Sequence, residues 1–128
     1  MNKNELNNLS KEILDASIVV HREMGPGLLE SVYEVCLIEE LRLRNINAVS
    51  QIELPLIYKN KKLNKNFRID ILVESEIIIE LKTVDKILPV HEAQIISYLK
   101  LADKRLGFLI NFNVSLLKQG FNRFVNKF

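Results

Sequence analysis

Three charged residues stand inside apolar runs and are the first candidates for chemistry. Asp70 lies within Phe67-Arg68-Ile69-Asp70-Ile71-Leu72-Val73, and Glu80 and Lys82 lie within Ile77-Ile78-Ile79-Glu80-Leu81-Lys82-Thr83. Both runs are rich in Ile and Val, lack Pro and Gly, and are separated only by Glu74-Ser75-Glu76, the pattern of two hairpin strands. An unpaired charge in an apolar layer costs several kcal/mol or shifts its pKa, so these residues need a reason to be there. Side chains alternate along a strand, which puts Glu80 and Lys82 on one face. A three-residue loop sets Val73 opposite Ile77, and from there Asp70 opposite Glu80 and Arg68 opposite Lys82. A two-residue loop would set Asp70 against Ile79 and send the carboxylates to opposite faces. Two carboxylates that close repel unless a cation sits between them, and hard oxygen donors suit Mg²⁺ or Mn²⁺. A solvated hairpin face, with Asp70 and Glu80 paired to Arg68 and Lys82, explains the same residues equally well.

The elements that must position this cluster follow from periodicity. Apolar residues at Leu9, Ile13, Ala16, Val20 and Met24 predict an amphipathic helix over about 6–24, stopped by Gly25-Pro26-Gly27. A second helix is expected from just after Gly27 to about Arg44, with Leu29, Val32, Cys36 and Leu43 as its apolar stripe and Leu37 and Leu41 beside it. Glu30 and Tyr33 share a face of it. Glu30 also stands in the first turn, where the helix dipole alone favours a carboxylate. A three-stranded meander follows, over 49–58, 63–73 and 77–83, with Pro55 marking an edge strand and Lys59-Asn60-Lys61 a turn. A third helix is expected from about His91 to Asp103, with His91 read as a helix start. Gly107 to Phe112 reads as a buried strand that adds parallel to the sheet. A short strand or irregular element should close the chain. The order is α-α-β-β-β-α-β, an α/β fold with a mixed sheet, in a single domain spanning 1–128.

Composition narrows the class. At 128 residues, 48% hydrophobic and 27% charged, the chain can build a real core. No apolar run reaches the roughly 18 residues that cross a bilayer, so no membrane association is expected. The N-terminus lacks a signal-peptide pattern, and the lone Cys36 lies in an apolar helical stretch. A reducing cytoplasm is the expected compartment. The net charge of +2 does not by itself argue for nucleic acid. Lys59, Lys61, Lys62, Lys65 and Arg68, however, fall within ten residues with no acid among them. That cluster is a candidate phosphate-contacting patch. A hairpin tip kept soluble and unpaired by lysines is the competing explanation.

The element order, with an Asp and a Glu-x-Lys on adjacent strands, resembles the PD-(D/E)XK nuclease superfamily. Gly27-Leu28-Leu29-Glu30-Ser31-Val32-Tyr33 is similar to the signature of its GxxExxY branch. Gln94-Ile95-Ile96-Ser97-Tyr98 is similar to the Gln-x-x-x-Tyr motif of the RecB-like nucleases. The resemblance runs from about Ala16 to Val125 and implies a restriction-endonuclease-like core. It departs from the usual pattern at Ile69, where proline often stands. It implies that Asp70, Glu80 and the backbone carbonyl of Leu81 bind the metal, with Glu30 completing the site. Lys82 would polarise the attacking water, and Gln94 and Tyr98 would orient the site or hold the substrate backbone. Tyr33 would brace Glu30 or touch nucleic acid.

Two functions of different kinds remain open at this level. One is a Mg²⁺- or Mn²⁺-dependent nuclease acting on DNA, or RNA. The other is a catalytically silent nucleic-acid-binding or protein-interaction module on the same fold. The complete set of Glu30, Asp70, Glu80 and Lys82 favours the nuclease, because a scaffold has no use for buried acids. The short chain favours the module, since little surface is left to grip substrate; a homodimer would supply more.

Overall fold

The computed structural model describes residues 1–128. Asn2 caps the first helix. Its side chain accepts from the Glu5 N–H while the Glu5 carboxylate accepts from the Asn2 N–H, and α1 runs Lys3–Met24. Leu6, Leu9, Ile13, Ala16 and Val20 form its buried stripe. The second helix, α2, runs Glu30–Leu43. Its buried stripe is Tyr33, Leu37 and Leu41, four residues apart, and this corrects the sequence expectation. Leu29 and Leu43, expected inside, are 74% and 62% exposed. For Leu29 the cause is local: Gly25 and Gly27 both have positive φ, so the chain is still turning at Leu28 and Leu29 and the helix starts later, while Leu43 is the last residue of the helix.

The sheet is β1 Ala48–Tyr58, β2 Lys61–Val73, β3 Ile77–Lys82, β4 Leu106–Asn111 and β5 Phe121–Val125, side by side in that order. β1, β2 and β3 form an antiparallel meander, and Val73 faces Ile77 across the three-residue loop as expected. The β1–β2 turn uses Lys59 and Asn60, both with positive φ, the primed geometry that matches strand twist. α3, Pro89–Ala102, then crosses over and brings β4 in parallel to β3. Pro89 stands at its first turn, and His91 Nδ1 accepts from the Leu88 N–H, so His91 serves as a helix start. The tail forms a 3₁₀ turn, Leu117–Gly120, and then β5 on the edge of β4.

Two apolar layers hold the sheet. The larger joins α1 and α2 to Ile71, Val73, Ile77, Ile79, Leu81 and the β4 residues Leu106, Phe108 and Ile110. The smaller, on α3, joins Leu99 to Ile69 and Ile78, with Ile52, Leu54, Phe67 and Tyr98 partly buried against it. Gly107 lets α3 approach: a Cβ there would lie 3.1 Å from Ile95 Cδ1 and 3.2 Å from the Ile78 carbonyl oxygen. No helix is long and apolar enough to cross a membrane.

Candidate active site at the open end of the β2–β3 hairpin

The β2–β3 ladder is regular through Val73–Ile77, Leu72–Ile78 and Ile71–Ile79, and it ends there. One residue further on, carboxylates replace backbone carbonyls as acceptors. The Asp70 N–H donates to Glu80 Oε2 at 2.7 Å, and the Leu81 N–H donates to Asp70 Oδ2 at 2.8 Å. Each acid thus holds the other's strand, and both side chains are fixed where the strands part. Neither is neutralised by the neighbouring cations. The salt bridges of the molecule are Met1–Glu76, Arg42–Glu39, Arg44–Glu12 and Arg44–Glu40, so Arg68 and Lys82 do not pair with Asp70 and Glu80. The solvated-hairpin explanation therefore fails at its central contact.

Glu80 is only 4% exposed. Burial first, and then the Asp70 charge, push its carboxyl up to about 8, with Glu30 adding in the same direction. The Asp70 N–H and the Lys82 ammonium oppose that rise without cancelling it. Tyr98 is shifted up as well, by burial and by the charges of Glu80 and Asp70. Its hydroxyl accepts from Gln94 Nε2 at 3.2 Å, so Gln94 and Tyr98 stand together beside the acids.

A cavity of about 200 Å³ opens beside Asp70, lined by Glu30, Ser31, Glu34, Gln51, Asp70 and Leu81. Glu30 comes from the first turn of α2 and therefore faces the Asp70 side of the hairpin. Glu34, one turn on, was not among the residues singled out from sequence. Burial raises its carboxyl, as do the charges of Asp70 and Glu30, while Gln51 Nε2 donates to Glu34 Oε1 at 2.6 Å and Arg68 also opposes the rise. The i, i+4 spacing from Glu30 was the available signal. Gln51, from β1, carried none.

Tyr33 requires a correction. It is fully buried, stacked on Phe112 with ring centroids 4.4 Å apart, and so has no surface to offer nucleic acid. Its hydroxyl donates to the Gly25 carbonyl at 2.5 Å and accepts from the Leu28 N–H at 3.2 Å. It braces the Gly25–Leu28 turn that sets where α2 begins, and reaches Glu30 only through that turn. Another unforeseen polar side chain is Asn111, at the end of β4. Its amide bonds both the N–H and the carbonyl of Val84, pinning the segment that leaves Lys82. Lys59, Lys61, Lys62, Lys65 and Arg68 are all exposed on the β1–β2 arm that rises from the site.

The donors gathered here are carboxylate oxygens with no His or Cys among them, and they repel one another without a counter-cation. That set fits a hard divalent ion. No three His, Cys, Asp or Glu side chains of the structure lie close enough together to hold a metal ion, so Glu30 does not join Asp70 and Glu80 in one ligand set here. Asp70 and Glu80 are instead held by backbone N–H groups.

Comparison with known proteins bears on the fold and the family. No curated protein matches the chain significantly. A solved structure, described as the crystal structure of SSO0001, superposes with a TM-score of 0.52 at 24% identity, covering 74% of this chain and 48% of the other. The chain thus spans about half the length of that protein, and the likeness is one of fold. The sequence model of the PD-(D/E)XK nuclease superfamily matches residues 7–124, nearly the whole chain and every element of the site. The chain belongs to the PD-(D/E)XK nuclease superfamily.

Proposed function

We propose that the protein is a divalent-metal-dependent nuclease that hydrolyses phosphodiester bonds of DNA, or RNA, and that it stands in the GxxExxY, RecB-like branch. The observation that carries this reading is the interlocked pair of half-buried Asp70 and buried Glu80, left without a salt bridge, with Glu30 across the cavity from Asp70. Asp70, Glu80 and Glu30 would hold Mg²⁺ or Mn²⁺, with the Leu81 carbonyl as a further donor. When bound there, the ion would supply Lewis acidity, lowering the pKa of water towards neutral and offsetting charge on phosphoryl oxygens. Lys82, next to Glu80 on the same face, holds and polarises the attacking water with its ammonium group. Tyr98, fixed by Gln94, orients the backbone of the substrate strand. Lys59, Lys61, Lys62, Lys65 and Arg68 track phosphates leading away from the site along the β1–β2 arm. The working compartment is the cytoplasm, and a homodimer supplies additional substrate surface.

The test is incubation with Mg²⁺ or Mn²⁺ and single- or double-stranded DNA or RNA, with Lys82→Ala as control. Metal-dependent cleavage, abolished by EDTA and reduced about 100-fold or more in Lys82→Ala, is the expected result. Binding without cleavage, unchanged by Lys82→Ala, would identify the silent module instead.

A further inference from the structure

Gln51 is the one residue inside a strand or helix with a positive φ. At +53° it contrasts with Asn45, Lys59, Asn60, Glu74, Ser75, Asp103 and Lys127, which all lie in turns, at a helix end or at the terminus. A non-glycine residue there is strained, and such strain persists only where its surroundings hold it. The β1–β2 ladder pairs Ser50 with Ile71 and Ile52 with Ile69 but passes over Gln51 and Asp70, which stand at the same level.

The inside–outside pattern inverts at that level on both strands. Ala48 packs with the α1–α2 core, yet Ile52, four residues on, packs with the α3 cluster. Ile71 belongs to the first core and Ile69 to the second, although residues two apart on a strand ordinarily share a face. The inversion leaves the Asp70 N–H free of the ladder, and Glu80 takes it. The Gln51 side chain meanwhile reaches α2, where its amide holds Glu34, one turn from Glu30.

We propose that Gln51 is the positioning residue of this site. Its left-handed backbone turns Asp70 out of the sheet, and its amide fixes the Glu30–Glu34 turn of α2 against it. The two roles separate by substitution. Glycine accepts the left-handed backbone but has no amide, whereas valine resists that backbone and also lacks the amide. The inference rests on the nuclease reading, so the experiment measures metal binding apart from cleavage.

Mn²⁺ affinity by calorimetry, thermal unfolding in EDTA and cleavage in Mg²⁺ would be compared for wild type, Gln51→Gly and Gln51→Val. Gln51→Gly should melt near the wild type, because relief of strain offsets added chain freedom. It should nevertheless bind Mn²⁺ about 10- to 100-fold more weakly, the usual effect of removing a group that orients metal ligands. Cleavage should fall with it. Gln51→Val should also lose thermal stability. Gln51→Gly with wild-type Mn²⁺ affinity and cleavage would overturn the proposal, and it stays informative if the valine variant fails to fold. A wild type that neither binds Mn²⁺ nor cleaves would overturn the nuclease reading and this inference together, a pattern distinct from failure in the variants alone.

Discussion

The two ends of the β2–β3 hairpin are built from the same kinds of strand and do opposite things. At the closed end, Ile71, Val73, Ile77, Ile78 and Ile79 are fully buried, and the ladder is regular. At the open end, Asp70 and Glu80 take backbone N–H groups with their carboxylates, and the ladder stops. The closed end supplies the free energy that holds the open end in an unfavourable arrangement. Stability and chemistry are thus separated by about one residue along each strand, and substitutions should reveal the boundary.

The largest effect on folding is expected at the closed end. Ile79→Ala removes a fully buried side chain and should destabilise the protein by about 2–5 kcal/mol in urea unfolding. Mn²⁺ affinity of the folded fraction should change little. Equal losses in stability and affinity would mean that the two ends are not separable.

The next effect belongs to Glu80 and depends on pH. Its carboxyl sits at about 8 in the folded chain against 4.5 as the ordinary value, so the folded state binds the proton more tightly. Stability is therefore full below about 4.5 and falls as pH rises towards 8, where the buried group finally ionises. In EDTA the loss across that window should be on the order of a few kcal/mol. Glu80→Gln should flatten the slope. A wild type equally stable at both ends of the window would show that Glu80 is not desolvated.

Smaller effects sharpen the comparison on the helix side. Tyr33→Phe removes two hydrogen bonds to the Gly25–Leu28 turn and should cost roughly 1–2 kcal/mol. Cleavage should weaken only as far as Glu30 shifts. Glu30→Gln should cost at most about 1 kcal/mol, the scale of a helix-dipole contribution. It should sharply reduce cleavage, whereas unchanged cleavage would leave Glu30 with the dipole role alone.

The closed end and its loop were legible in the sequence because period-two alternation and a three-residue spacer fix the register from Val73–Ile77 onward. Helix 91–103 and the parallel strand after it were legible for the same kind of reason, a clear period bounded by turn residues. The role of Tyr33 was not, because i, i+3 spacing places it near the face of Glu30 and says nothing of Phe112, far away in sequence. Gln51 was hidden more deeply. Counting back from the turn pair Tyr58–Lys61 sets it opposite Arg68, and only the irregularity between the Pro55 and Ile57 pairings brings it level with Asp70. Neither that slip nor a left-handed glutamine has a signature in residue types.

The central claim is that the open end is arranged for a divalent cation. Thermal unfolding of wild type and Asp70→Asn, with EDTA and with millimolar Mg²⁺ or Mn²⁺, addresses it most directly. Binding to the folded state raises the midpoint through mass action, by an amount that grows with concentration over Kd. The wild type should gain several degrees with metal, and Asp70→Asn should lose most of that gain while remaining as stable as the wild type in EDTA. A wild-type midpoint unmoved by either ion would contradict the account.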